Sequence, residues 1–254
     1  MSSVTQISEG KEGSMKNLVL TSAAAAAFIS AGASAGVVAF SSFEELAAIP
    51  GQYVDTLDPL TDHALLDNVD QPFVNYGGGA ELGFSSFYTN TRDGVGLSDG
   101  DFIGVTNFTG TVGAYTDGLN GFQLSDTDGL VTVTMQGVDL TGLGSAGVSM
   151  DLFVQSTGYE ADDRVRAWVE VDGGVELDLF ALAGDDLESP DVSGQWLSLN
   201  LDLTGYTTAV LRFELDSNSG SEAIFVDNIV FVPAPGAMAL LGLAGLAGSR
   251  RRRG

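Results

Sequence analysis

The sequence has no cysteine, a single histidine (His63) and few basic residues, with 10 Lys and Arg against 34 Asp and Glu in 254 positions, a formal charge of −24. Without cysteine there is no disulfide framework and no thiol nucleophile. One histidine removes most metallo-hydrolase and Ser-His-Asp schemes. The shortage of positive charge excludes nucleic acid as a partner, because nothing is available to neutralise phosphates. No apolar run reaches the roughly 18–20 residues of a comfortable membrane span, and neither a Gly-X-Y period nor a heptad persists. Polytopic membrane, collagen and coiled-coil classes fall away. What is present is 44% apolar with 34 Gly and 6 Pro, too apolar for a disordered tail and of a size for one sizeable domain.

Both ends carry address signals. Met15-Lys16-Asn17 is a short basic start, Leu18 to Ile29 is apolar and Ala-rich, and Ala33-Ser34-Ala35 is a small-residue A-x-A site. Together they predict a secretory signal peptide over residues 15–35, cleaved after Ala35. Residues 1–14 stand outside that pattern. Lys11-Glu12-Gly13 needs largely purine codons just before Met15, as a ribosome-binding site read in frame would, so Met15 is the expected start. At the other end, Pro233 and Pro235 uncouple the preceding chain from an apolar segment, Gly236 to Gly248, followed by Arg250, Arg251, Arg252 and Arg253. The segment is short for a span, but small residues and a basic end suit a helix whose arginines stay cytoplasmic.

This tail resembles the PEP-CTERM sorting signals of exosortase substrates: a Pro-x-Pro motif, an apolar helix and a terminal Arg cluster, in that order. The likeness covers only the last 22 residues, and Ala234 stands where the family has Glu. It implies recognition by an exosortase-type sorting enzyme at the inner membrane of a Gram-negative-type bacterium. Cleavage or transfer near Pro233 to Gly236 would follow, or else retention as a short C-terminal anchor. Export also fits the charge. All the acidic residues except Glu9 and Glu12 fall between Gly36 and Ser249, against Arg92, Arg164, Arg166 and Arg212 alone, a formal −28 with no Lys. Such a charge keeps a protein dispersed and strains its fold unless salt or cations screen it.

Between Gly36 and Val232 the pattern is β. Leu130 to Met135, Val148 to Val154, Val165 to Val171, Val175 to Phe180, Trp196 to Leu203, Ala209 to Leu215 and Ile224 to Val232 have strand length and β-branched content, as do Phe73 to Tyr76 and Ala80 to Phe84. Asp93-Gly94, Asp99-Gly100, Asp117-Gly118, Asp128-Gly129 and Asp172-Gly173-Gly174 punctuate them. Ser198 to Leu203 and Val210 to Leu215 alternate polar and apolar, so one face of each is wet. The expected fold is all-β, a single two-sheet antiparallel sandwich over residues 36–232. Helix is suggested only at Glu44 to Ala48 and Thr61 to Leu66.

The order of elements resembles the jelly-roll sandwiches of carbohydrate-binding modules and related choice-of-anchor surface domains. The matching residues are Ser42-Phe43-Glu44-Glu45, Trp196 before Asp202-Leu203-Thr204-Gly205-Tyr206, Leu211-Arg212-Phe213, and Ile224 to Val230. The resemblance implies adjacent first and last strands and a structural calcium ion held by Glu44 or Glu45 with Asp227, chemistry that suits a cation taking six to eight oxygens. Solvated glutamates, with Asp227-Asn228 capping a strand, are the plain alternative.

Other candidates are weaker. Asp216 to Glu222 places oxygen side chains at alternate positions but lacks the calcium-loop order, and reads as a hairpin connection, as do Asp126 to Gly129 and Asp99 to Asp101. Glu170-x-Asp172-x-x-x-Glu176 resembles the acid motif of some sandwich-fold glycosidases, with its last acid one place late and a hairpin-type Gly173-Gly174 pair inside it. Sugar binding needs aromatic platforms. Trp168 shares the alternation face of Glu170 and is expected to be open, whereas Trp196 is expected in the core; Tyr53, Tyr76, Tyr88, Tyr115, Tyr159 and Tyr206 are further rings. Asn107-Phe108-Thr109 matches a glycosylation sequon, a pattern frequent by chance. No catalytic residue is assigned. The sequence reads as an exported structural or adhesive protein that binds extracellular polysaccharide, with a secreted glycoside hydrolase or lyase as the alternative.

Overall fold

Period-two burial organises the long strands: residues of Gly129–Met135 alternate strictly between buried and half-buried, and Arg164–Val171 buries Val165, Ala167, Val169 and Val171 on one face. The structure is a computed structural model that describes residues 36–233 apart from Asn90, Asp93 and Asp99. The expected signal peptide with Ala33 and Ala35, the apolar helix, Pro235 and Arg250 to Arg253 lie outside the described residues. Among the described residues, no helix is long and apolar enough to cross a membrane.

The strands are β1 (Ala39–Ser41), β2 (His63–Ala64), β3 (Phe84–Thr89), β4 (Phe102–Thr106), β5 (Gly121–Ser125), β6 (Gly129–Met135), β7 (Val138–Asp139), β8 (Ala146–Val154), β9 (Arg164–Val171), β10 (Val175–Ala183), β11 (Trp196–Asp202), β12 (Thr208–Ser217) and β13 (Ala223–Pro233). They form two antiparallel sheets, the sandwich of a jelly roll. The first runs β11-β8-β13-β5-β4 with β1 beside β13; the second runs β10-β9-β12-β6-β3-β2 with β7 beside β12. Inner faces meet in one apolar core that includes Phe122, Leu124, Met150, Leu152, Leu211, Phe213, Ile224 and Phe231. A smaller cluster of Val112, Tyr115, Phe153, Ala223 and Phe225 lies apart from it.

First and last strands do pair. Ala39 to Ser41 lie along Phe231 to Ile229, whereas the earlier half of β13, Ala223 to Val226, pairs with β5. The change of partner falls at Asp227-Asn228, where the β8–β13 register shifts and Asn228 takes φ +50°. Pro233 ends β13 opposite Ala146, as a residue without an N–H should.

Four expectations are corrected. Glu44 to Ala48 is a turn, because Phe43 adopts φ +60° to bury its ring and the two glutamates bind distant backbone. Thr61 to Leu66 contains β2, and the helical element among the described residues is a 3-10 turn at Gly184–Glu188. Ala80 and Glu81 form a bend, with β3 starting only at Phe84. Phe73 to Tyr76 makes no strand beyond the isolated bridge of Tyr76 with Phe84.

Gly104 in β4 shows how tightly the edge is built. It sits at φ +122°, and a Cβ there would lie 2.6 Å from the carbonyl oxygen of Phe73, a backbone atom that accepts the Val105 N–H. Gly104→Ala is therefore expected to cost about 2 kcal/mol and lower the melting temperature by roughly 4–8 °C in a thermal scan. An unchanged melt would contradict this packing.

Candidate functional site

One row of cross-strand neighbours crosses the whole outer face of the first sheet. Register places Trp196 opposite Phe153, Phe153 opposite Phe225, Phe225 opposite Gln123 and Gln123 opposite Gly104. Large rings therefore fill one half of the row and leave an amide and a glycine at the other. The chain between β4 and β5 folds back over the rings. Tyr115 packs on Trp196 with centroids 5.9 Å apart, and Phe108 stacks on Phe225 at 6.1 Å with an interplanar angle of 16°. Tyr115 also donates its hydroxyl to the Phe108 carbonyl at 3.1 Å, which fixes the fold-back.

Beside this cover lies a groove of about 320 Å3. Two phenyl rings border it, Phe102 on β4 (36% exposed) and Phe108 (45% exposed). Its polar groups are the amides of Asn107, Gln123 and Gln155 and the hydroxyls of Thr106, Thr111 and Ser125; Pro50, Gly51, Gly220 and Ala223 complete the lining. None of these residues is ionisable, on a chain with 34 acidic residues.

The amides are not equivalent. Gln155 is braced: its Nε2 donates to the Ser221 carbonyl at 2.8 Å and its Oε1 accepts from Thr111 Oγ1 at 2.9 Å. Gln123 is 8% exposed, lines the groove, and its side chain has no hydrogen-bond partner among the described residues. Its amide faces the groove with no protein hydrogen bond holding it, so its donor and acceptor are available to whatever enters.

The acids expected to hold calcium are engaged with backbone. Asp227, fully buried, accepts from Thr116 N and Asp117 N at 2.8 Å, Thr116 Oγ1 at 3.0 Å and Asn228 N at 2.6 Å. Burial raises its pKa to about 6 against the pull of those donors. Glu44 Oε1 accepts from Leu119 N and Asn120 N, so the two residues grip successive parts of the same loop. Glu45 accepts from Tyr76, Ala80 and Glu81, contacts that hold its carboxyl below the usual range. Elsewhere among the described residues, Asp101, Asp126 and Asp128, and likewise Glu160, Asp163 and Glu222, bring carboxylate oxygens within 4.8 Å of one another.

The acid motif lies on the other sheet. Asp172-Gly173 turns the β9–β10 hairpin at φ +49° and +72°, and Glu170 faces Glu176 across it. Glu170 is bound by Arg212 and Glu176 by Arg166, each at 2.8 Å, while Asp172 accepts from Thr207 N, Thr207 Oγ1 and Thr208 N, contacts that lower its pKa.

Both tryptophan expectations are reversed. Trp168 is on the predicted face but only 5% exposed, because the Arg166 guanidinium lies 4.4 Å over its ring, tied to Glu176 and Asp178. Trp196 is half-buried on the outer face, donating to the Ala114 carbonyl. Tyr53, Tyr88, Tyr115 and Tyr159 are buried. His63 bridges Asp55 at 3.0 Å and the Thr61 carbonyl at 2.6 Å, away from the groove lining. The rings that the groove does use, Phe102 and Phe108, are phenylalanines that a search for Trp and Tyr platforms passes over. The one local signal is Phe108 flanked by Asn107 and Thr109, an apolar ring inside a polar turn.

No family model matches the chain, and no curated protein matches it. Solved structures similar to part of it include TmCBM61 in complex with β-1,4-galactotriose, at 11% identity over 52% of this chain and 82% of that one, with a TM-score of 0.37. Carbohydrate-binding modules of the β-sandwich superfamily, described for promiscuous specificity, align at 14% identity over 59% of this chain and 56% of theirs, TM-score 0.37. The K3 cleaved adhesin domain of Lys-gingipain from Porphyromonas gingivalis W83 aligns at 8% identity over 47% and 79%, TM-score 0.32. The likeness extends to the sandwich architecture alone.

Proposed function

We propose that the protein is an exported surface or matrix protein that binds a neutral polysaccharide in the groove of the first sheet and does not cleave it. The observation that carries this reading is the lining: two exposed phenyl rings and three amides, with no charge. Phenyl faces suit the C–H faces of pyranose rings, and amides suit hydroxyls, which both give and accept hydrogen bonds. An anionic polymer would meet a chain of formal charge −24 and no basic group in the groove, since Arg92, Arg164, Arg166 and Arg212 are each committed to ion pairs elsewhere. Glycosidic hydrolysis by the common route needs two carboxyl groups flanking the scissile bond, and the groove lining offers none.

A glycan array with the full chain, paired with a reducing-sugar assay, tests this. The expected result is binding to neutral glycans without release of reducing ends. Binding confined to acidic glycans would overturn it, and turnover lost on Glu170→Gln would establish the hydrolase alternative.

Delivery belongs to the same proposal. The A-x-A site at Ala33 and Ala35, the Pro233-x-Pro235 motif and Arg250 to Arg253 support export followed by sorting through an exosortase-type enzyme, with transient or retained contact with the inner membrane. A tagged chain lacking residues 233–254 should then fail to reach the surface in the form that the full chain takes.

A further inference from the structure

Away from the groove lining, Glu160, Asp163 and Glu222 each bring a carboxylate oxygen within 4.8 Å of the others, and Asp163 and Glu222 are 0% and 1% exposed. Asp163 has an answering charge. Arg92 Nη1 lies 2.6 Å away, and Glu160 N donates to its other oxygen. That arginine is shared, reaching Asp162 at 2.9 Å and Asp216 at 3.7 Å.

Glu222 has only the Asn218 N–H, at 3.2 Å, as a backbone donor. Glu160 shares a side-chain hydrogen bond with it, Tyr159 lies beside it with its hydroxyl donating to the Ala223 carbonyl, and Arg92 is engaged by Asp163. Carboxylates this close, two of them out of water, cannot all ionise.

The residue sits at a mechanical junction. Residues 218–222 connect β12 to β13, and Gly220 and Ala223 belong to the groove wall. Ser221 supplies the carbonyl that holds Gln155, and Ser125 Oγ donates to the Gly220 carbonyl at 3.3 Å. We propose that Glu222 keeps a proton at neutral pH within this carboxyl cluster, and that losing it in mild alkali displaces residues 218–222 and loosens Gln155 in the groove. This regulation rests on the groove reading for its biological meaning. Its structural content does not.

The titration has a readable window. Burial, then the Asp163 charge, raise Glu222 from an ordinary 4.5 to about 8. The unfolded chain releases this proton near 4.5 and the folded one near 8, so its contribution to stability falls as pH rises between those values and levels off above them. Asp227 acts in the same sense from 3.8 to about 6, and burial also raises Glu214 and Asp216, so it is the comparison with Glu222→Gln that isolates the share of this cluster.

The experiment is an NMR titration of the full chain from pH 5 to 9, following glutamate carboxyl carbons and the side-chain amides of Gln155 and Gln123, with thermal melts of wild type and Glu222→Gln alongside. We expect one carboxyl to titrate near 8, the Gln155 amide to move with the same midpoint, and the decline in melting temperature above about pH 6.5 to flatten in Glu222→Gln. Absence of a carboxyl titrating above 7 would overturn the proposal, as would a Gln155 amide that stays still. Removal of the titration by millimolar calcium would also overturn it, by making the cluster a cation site. Since no readout uses a glycan, failure here leaves the groove reading standing, and a groove that binds nothing leaves this test intact.

Discussion

Replacing Phe108 with alanine should weaken neutral-glycan binding by roughly thirtyfold, about 2 kcal/mol, and Gln123→Ala by roughly tenfold, as measured by isothermal titration. Phe108 offers one open face while its other face rests on Phe225, so the ring is already ordered before a sugar arrives. That ordering reduces the entropy lost on binding. Gln123 contributes differently. Its amide makes no hydrogen bond among the described residues and faces the groove, so truncation removes hydrogen bonds made only in the complex. Phe87→Ala is the control, an equally exposed phenylalanine (45%) on the second sheet. If Phe87→Ala weakens binding as much as Phe108→Ala, the groove is not the binding surface.

Asp227→Ala should lower stability by about 3–5 kcal/mol and the melting temperature by roughly 6–20 °C. The carboxylate is where β13 changes partner from β5 to β1, and it accepts from three backbone N–H groups and one hydroxyl. Alanine removes the one acceptor those donors share, empties a fully buried position, and frees the Thr116–Asp117 end of the loop that covers the aromatic row. Asp227→Asn keeps one carbonyl oxygen and should fall between the two. Running the same melts in millimolar calcium and in chelator tests the calcium expectation directly. A calcium-dependent rise that Asp227→Ala abolishes would place an ion there, whereas equal wild-type melts would leave the backbone donors as the whole account of this aspartate. A melt of Asp227→Ala within 2 °C of wild type would contradict the clamp.

Strands were legible where one face stays wet. Val210 to Leu215 alternates in sequence and β12 lies there, with burial alternating as far as Phe213 before Glu214 is buried as well. β5, by contrast, is buried at every position: Gln123 and Ser125 do alternate with Phe122 and Leu124, but the strand is five residues long and carries no β-branched residue to mark it. β4 is interrupted by Gly104 and was missed for a related reason. The two tryptophans show the limit of alternation more sharply. It gave the correct face for Trp168, but whether that face is open depends on Arg166, held by acids from the neighbouring strand.

By itself the sequence determined the chemical character of this protein: strongly acidic, cysteine-free, two-sheeted and turned by Asp-Gly pairs. Those properties are sums over residues or patterns of period two, and they need only near neighbours along the chain. The groove needed more. Phe102, Gln123, Gln155 and Gly220 are far apart in sequence, and they converge because β4, β5, β8 and β13 adopt one register out of several. Register is chosen by the packing of both sheet faces at once. The same nonlocal choice decided which of 34 acidic residues became clamps, which became arginine partners, and which were left sharing a proton.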